Sequence, residues 1–285
     1  MAKILITESV HPIGPELLTA AGHTVVYADR DMDIIRREIV DADAVLVRII
    51  ELPGSLLTTA KNLKIVSKHG VGYDNIDLDY CKSHGIAVTI TPNANSLSVA
   101  EHAFTLMLTL AKNIIPVSNE YRTVGFAAKN HTPGIEMTGK TLGLIGMGRI
   151  GKYVLHMCKD GLDMHVIVYD PYISEVPEGV EKVDDLSELL RRADVVTLHC
   201  LLTDETRKLI DRERLALMKP TALLINCARG PIVDEAALIE ALENGRLAGA
   251  GLDVTDPEPV APDSPLFKLP NVIVTPHYAP TTVES

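Results

Sequence analysis

Short apolar runs alternate with amphipathic stretches along almost the whole chain. Up to residue 90, strand-like runs fall at 3–7, 23–27, 44–47, 64–67 and 87–90. Between them the spacing of apolar positions predicts helices over 13–21, 33–40, 55–61 and 77–83. Gly22 and Gly85 close the first and last of these, as glycine takes the left-handed turn at a helix end without a Cβ penalty. Repeated strand–helix units of this length predict a parallel, doubly wound sheet.

The alternation breaks at Thr91-Pro92-Asn93, which predicts a boundary between a domain at 1–93 and another at 94–285. Ser98-Val-Ala-Glu101 reads as a capping box opening a helix over 99–114. Val99, Ala103, Phe104, Leu106, Met107, Leu108 and Leu110 make that helix apolar on several sides, so it needs cover on more than one face. A helix bridging domains and a subunit interface both satisfy this. Residues 116–139 have weak periodicity and read as an irregular arm. From 141 the pattern resumes. Strands are predicted at 141–145, 164–169, 180–183, 195–199, 221–226, 248–253 and 272–275, and helices at 149–160, 185–192, 211–218 and 234–244. The fold class is therefore α/β, with two doubly wound parallel-sheet domains. The cleft between them is the expected ligand site.

One turn in the second domain carries chemistry. The strand at 141–145 runs into Gly146, Gly148 and Gly151 in G-x-G-x-x-G spacing, with a helix opening near Arg149. Asp170 ends the next strand, nineteen residues past Gly151. Strand, glycines, helix and strand-terminal acid together form the dinucleotide fingerprint. Gly146 makes the tight turn, Gly148 lets the backbone approach a pyrophosphate, and Gly151 allows close helix–strand packing. The helix N-terminus offers amides and partial positive charge to phosphates. Asp170 would accept from a ribose 2′-OH and repel a 2′-phosphate. No lysine or arginine follows it until Lys182, so NAD is the expected cofactor.

Composition narrows the partners. A net charge of −11 disfavours nucleic acid and anionic membrane surfaces, which select basic faces. No apolar run reaches the roughly 18 residues a membrane span requires. The longest candidate, 99–111, is interrupted by Glu101 and His102. Cys81, Cys158, Cys200 and Cys227 are widely spaced with no C-x-x-C pair, so no metal site is expected. Reduced, mostly buried thiols in a cytoplasmic protein are expected instead. The N-terminus reads as a strand and lacks signal-peptide anatomy.

Three polar sites stand at the ends of late strands. Arg229 lies in Asn226-Cys-Ala-Arg-Gly230, where its planar fork suits a carboxylate or a carbonyl oxygen gaining charge. Asp253 ends the following strand, and Glu258 sits in a proline-braced loop after it. His277 ends the last strand. A carboxylate beside a histidine stabilises imidazolium and makes a proton donor for neutral pH. Reducing a ketone with NADH requires a proton at oxygen as hydride reaches carbon, and Arg229, Glu258 and His277 together could serve that reaction.

These motifs resemble the D-isomer-specific 2-hydroxyacid dehydrogenase family, particularly its phosphoglycerate dehydrogenase and hydroxypyruvate reductase branches. The landmarks are Lys68-His-Gly-Val-Gly-Tyr-Asp-Asn-Ile-Asp77, Ser98-Val-Ala-Glu101, Leu144-Ile-Gly-Met-Gly-Arg-Ile-Gly151, Asn226-Cys-Ala-Arg-Gly230, Leu252-Asp-Val254 with Glu258-Pro259, and Thr275-Pro-His277. They span nearly the whole chain. The resemblance implies a flavodoxin-like substrate domain and a Rossmann NAD domain. It implies that Arg229 binds the substrate carboxylate and carbonyl, with His277 as acid/base and Glu258 as its partner. Arg149 and Ile150 would present amides to the pyrophosphate. His199, Cys200, Cys227, Ala228 and Val71 would line the cofactor, with Asp253 near its carboxamide. Gly70, Val71 and Gly72 would offer amides to the substrate carboxylate, and Arg48 would face its far end. The implied substrate is a small 2-keto or D-2-hydroxy acid such as phosphohydroxypyruvate or hydroxypyruvate, and a homodimer through the NAD domain is implied.

Some positions depart from the family pattern. Ile49 and Ile50 follow Arg48 where the phosphoglycerate type has a small polar residue and often a second arginine, which weakens the case for a phosphorylated substrate. Cys200-Leu-Leu-Thr203 replaces the usual proline-containing run after His199, and Ala279-Pro280 replaces a glycine-rich pair. The sequence stops eight residues after His277, so the helix that returns to the first domain is expected to be absent from it. Two other functions compete. Formate dehydrogenases pair their histidine with glutamine, and Glu258 argues against them. A non-catalytic NAD-sensing or co-repressor-like interaction protein would be expected to lose part of the Arg229, Glu258 and His277 set.

Overall fold

The computed structural model describes residues 1–285. The first unit, Met1–Asn95, contains β1 (Lys3–Ile6), α1 (Ile13–Ala20), β2 (Thr24–Tyr27), α2 (Met32–Glu38), β3 (Ala44–Val47), α3 (Gly54–Leu57), β4 (Ile65–Lys68), α4 (Leu78–Ser83) and β5 (Ala87–Thr89). All strand pairs are parallel, in the order β2-β1-β3-β4-β5, the flavodoxin-like arrangement. Leu5 sits in register between Val26 and Val45, and with Ile35, Ile39 and Val66 it joins an aliphatic core. Asp31 caps α2 by accepting from the amides of Asp33 and Ile34, and Asp77 caps α4 through Tyr80. Such caps contribute about 1 kcal/mol each.

The second unit, Ser96–Ser285, begins with α5 (Ser96–Ala111) and α6 (Ile114–Val124). It continues through β6 (Thr141–Ile145), α7 (Arg149–Leu162), β7 (His165–Tyr169), β8 (Val180–Lys182), α8 (Leu186–Arg192), β9 (Val195–Leu198) and α9 (Arg212–Leu215). It ends with β10 (Leu223–Asn226), α10 (Glu235–Glu243), β11 (Gly249–Leu252) and β12 (Val272–Val274). The parallel sheet runs β12-β11-β10-β9-β6-β7-β8. Strand order reverses between β6 and β9, the switch point where doubly wound sheets bind ligands beyond the strand ends. Every residue of β9 and β10 is buried, as expected for central parallel strands covered on both faces.

The start and end of α5 differ from the sequence reading. The helix begins at Ser96, so Ser98 lies inside it, and the Ser98 hydroxyl pairs with that of Thr282. The helix ends at Ala111 because Asn113 takes a left-handed backbone (φ 50°), a conformation asparagine tolerates better than most residues. The supposed arm then opens as α6, followed by a 3-10 turn over Gly125–Asn130. No residue of α6 is buried, so it carries no burial-driven periodicity for a sequence reading to detect. The expected helices at 55–61 and 211–218 shrink to α3 and α9. No helix is long and apolar enough to cross a membrane.

Candidate active site

Six strand ends in the second unit, those of β6, β7 and β9 to β12, carry the candidate residues. At the end of β6, Gly146 adopts φ +88°, and a Cβ there would lie 2.7 Å from the Cys200 amide nitrogen. A Cβ on Gly151 would lie 2.3 Å from the Gly146 carbonyl oxygen, so only glycine lets α7 start this close to the turn. Gly148 caps α7 with no side-chain acceptor, leaving the first-turn amides unpaired. A Cβ on Gly148 would meet nothing within 4 Å. Open space over a bare helix N-terminus suits a dinucleotide pyrophosphate. Asp170, after β7, accepts from the Met147 amide at 2.8 Å and the Tyr172 amide at 3.0 Å. It therefore also braces the glycine turn, and the Tyr172 hydroxyl donates to Glu205 at 3.2 Å.

At the end of β9 the His199 ring nitrogen Nε2 lies 2.8 Å from Thr197 Oγ1, while its buried Nδ1 has no partner. Burial pushes the imidazole down to about 3, so the ring is neutral at physiological pH. Burial also raises the neighbouring thiols, Cys200 to about 11 and Cys227 well above its ordinary value, which leaves both protonated. A buried, unsatisfied ring nitrogen beside the glycine turn fits a polar ligand at this edge.

At the end of β10, Asn226 is 1% exposed and folds the next turn. Its Oδ1 accepts from the Ala228 amide at 3.0 Å and its Nδ2 donates to the Arg229 carbonyl at 2.9 Å. The Arg229 guanidinium Nη1 donates to the Ala228 carbonyl at 2.7 Å.

Asp253 and His277 are tied together at the ends of β11 and β12. The His277 amide donates to the Asp253 carbonyl at 2.8 Å. His277 itself sits at φ 52°, a region that costs a non-glycine residue roughly 1–3 kcal/mol. The Asp253 carboxylate holds that turn. It accepts from the Thr275 hydroxyl at 2.5 Å and from the amides of Tyr278 at 2.7 Å and Ala279 at 2.9 Å. Thr275 spends its proton on Asp253, so His102 Nε2, 3.0 Å from the same hydroxyl, donates to it. Burial pushes the Asp253 carboxyl up, but the bonds from His102, Thr275 and the two amides outweigh it and hold it below its ordinary value. The Asp253 side chain is 1% exposed. With the turn fixed, His277 Nδ1 meets Glu258 Oε1 at 2.7 Å. An imidazole that donates through Nδ1 to a carboxylate presents Nε2 for proton exchange.

The remaining expected residues lie in the first unit. Arg48 follows β3 and donates through Nη1 to the Ser9 carbonyl at 3.0 Å. Gly70, Val71 and Gly72 follow β4. The Gly70 amide donates to Thr91 Oγ1 at 2.8 Å. Sequence reasoning missed the His102–Thr275 link, because its members lie 173 residues apart. Its one signal was a histidine interrupting an apolar helix.

Residues 104–279 match the model of the D-isomer specific 2-hydroxyacid dehydrogenase, NAD binding domain. The chain is similar to a D-3-phosphoglycerate dehydrogenase of Methanocaldococcus jannaschii, 44% identical over 289 residues covering 100% of this chain and 55% of that one. It is 38% identical to a glyoxylate reductase of Thermofilum pendens, over 99% of this chain and 86% of the relative. Its fold matches a crystal structure of D-lactate dehydrogenase from Aquifex aeolicus complexed with NAD and lactic acid, with TM-score 0.88, 34% identity and coverage of 99% and 90% of the two chains. The chain belongs to the D-isomer specific 2-hydroxyacid dehydrogenase family, and its second unit contains the family's NAD-binding domain. It spans about half the length of the phosphoglycerate dehydrogenases it matches.

Proposed function

We propose that this protein is an NAD-dependent oxidoreductase that interconverts a small 2-keto acid and the corresponding D-2-hydroxy acid. The observation that carries this reading is the His277–Glu258 pair, 2.7 Å apart on a turn held in a left-handed conformation. The bound dinucleotide supplies or accepts the hydride. The chain's own residues do the rest. Arg149 and Ile150 give backbone amides to the pyrophosphate, and Asp170, with Glu205 nearby through Tyr172, favours a ribose hydroxyl over a 2′-phosphate. His199, Cys200, Cys227 and Ala228 line the cofactor side. Arg229 holds the substrate carboxylate and polarises its carbonyl. His277 Nε2 delivers a proton to the carbonyl oxygen in reduction and removes it from the hydroxyl in oxidation. Glu258 stabilises the imidazolium. Val71 and Gly72 offer amides to the substrate carboxylate, and Arg48 meets its far end. Ile49 and Ile50 beside Arg48 favour hydroxypyruvate or glyoxylate over a phosphorylated keto acid.

Absorbance at the NADH band tests the reading, with hydroxypyruvate, glyoxylate, pyruvate and phosphohydroxypyruvate each offered with NADH and with NADPH. Turnover is expected with at least one unphosphorylated acid, faster with NADH. Folded, cofactor-loaded protein silent on all four would refute the reading, and a preference for NADPH would remove Asp170 from its role.

The assembly is proposed to be a homodimer through α6 and the turn after it. These segments expose Ile114, Ile115, Tyr121, Val124 and Phe126, the last 72% exposed. Large side chains on a helix with no buried residue mark a surface that a partner covers. Light scattering after size exclusion is expected to give twice the 30.9 kDa chain mass, whereas a monomer at micromolar concentration would contradict it. Four free cysteines fit a cytoplasmic location.

A further inference from the structure

We propose that Glu8 is a positioning residue that, with Lys68 and Asn75, sets the loop carrying Arg48 for the far end of the substrate. Glu8 follows β1 and is 1% exposed. Its Oε2 accepts from the Arg48 amide at 2.6 Å and the Thr7 hydroxyl at 2.7 Å. Its Oε1 accepts from the amides of Ile49 at 2.7 Å and Ile50 at 3.1 Å. Three consecutive amides converging on one carboxylate form a nest, a backbone concavity suited to an anion. Here the anion belongs to the chain.

The carbonyls of the same segment are held from the other side. Asn75 donates through Nδ2 to the Ile50 carbonyl at 2.7 Å and lies 3.4 Å from the Arg48 carbonyl. The buried Lys68 ammonium donates to the Arg48 carbonyl and to Asn75 Oδ1, the latter at 2.6 Å. The Arg48 side chain is tied back to Ser9, next to Glu8. A carboxylate and an ammonium taken out of water are costly unless hydrogen bonds saturate them, and an exposed loop would connect β3 to α3 without that cost. The arrangement therefore serves to fix one conformation of residues 48–50. Lys68 and Asn75 flank the 70–72 segment, so one clamp holds both loops that the proposed function gives to the substrate. With its three amides paired to Glu8, the nest is not open to a second anion.

This inference rests on the proposed keto-acid reaction, and two readouts separate the failure of each. In Glu8→Ala, the KM for the active keto acid is expected to rise about tenfold or more, while kcat and NADH affinity change much less, as for a misplaced substrate contact. Hydrogen exchange of a peptide over 47–51 is expected to accelerate by a similar factor. Acetate, which fits the emptied nest, is expected to reverse both changes. Glu8→Gln, which keeps the side-chain shape and one good acceptor, should show a smaller KM rise and is the variant to use if the alanine form does not fold. An unchanged KM in a folded variant overturns the positioning role. So does a loss of NADH affinity and kcat together that acetate does not reverse. If wild-type protein reduces no keto acid, the function fails, and exchange alone judges the clamp. Unaltered exchange over 47–51 overturns it, and acetate-reversible acceleration supports it.

Discussion

Replacing His277 with alanine is expected to lower kcat for keto-acid reduction by about 10²–10⁴-fold, the range that general acid–base groups contribute. NADH binding, measured by fluorescence titration, should stay close to wild type, because the proposed dinucleotide contacts lie at the β6, β7, β9 and β10 strand ends and not at β12. The loss falls on chemistry because the proposed reaction has His277 place a proton on the carbonyl oxygen as hydride arrives. Glu258→Gln should cost less, since an amide oxygen still accepts from Nδ1 while the charge that stabilises imidazolium is gone. Retained turnover in His277→Ala would move the acid to another group and break the link between the left-handed turn and catalysis. Loss of NADH affinity in the same variant would make His277 a packing residue.

Gly151→Ala is expected to give the largest loss of cofactor affinity. The added Cβ would fall 2.3 Å from the Gly146 carbonyl oxygen, which is backbone and cannot rotate away. Either α7 or the turn must shift. That shift would cost about 1–3 kcal/mol of stability as overpacking. It would also move the first-turn amides away from the pyrophosphate position. The expected result is NADH binding weakened by about tenfold or more, as a 1.4 kcal/mol loss implies, together with a lowered melting temperature. Gly148→Ala is the control for stability, since its Cβ would meet open space in the protein. Unchanged NADH affinity in Gly151→Ala would contradict the assignment of this helix N-terminus to the cofactor.

The sequence carried most of the architecture because parallel strands buried on both faces leave unbroken apolar runs, as in β9 and β10. It carried the glycine turn because each glycine there answers a local steric need. The break at Asn113 was hidden, since a single left-handed asparagine leaves no trace in periodicity. The true start of α5 was hidden because Ser98 satisfied a capping pattern two residues inside the helix. Among the site residues, Asp253 was visible as an acid at a strand end, but its partners at 275–279 were not, since pairing across more than twenty residues leaves no local pattern. Glu8 was invisible for the same reason. An acid at the end of the first strand looks solvated until residues 48–50, forty positions away, are seen folded onto it.

The proposed reaction is hydride transfer between a nicotinamide cofactor and C2 of a small acid, with His277 moving the proton. The direct measurement uses NADH carrying deuterium in its transferable C4 position and the best keto acid of the panel whose product is chiral at C2 (glyoxylate gives achiral glycolate), with the product analysed by mass and chiral chromatography. Wild-type protein is expected to form a D-2-hydroxy acid bearing one deuterium at C2, and His277→Ala to form far less of it. An unlabelled product or an L-configured product would contradict the proposed reaction.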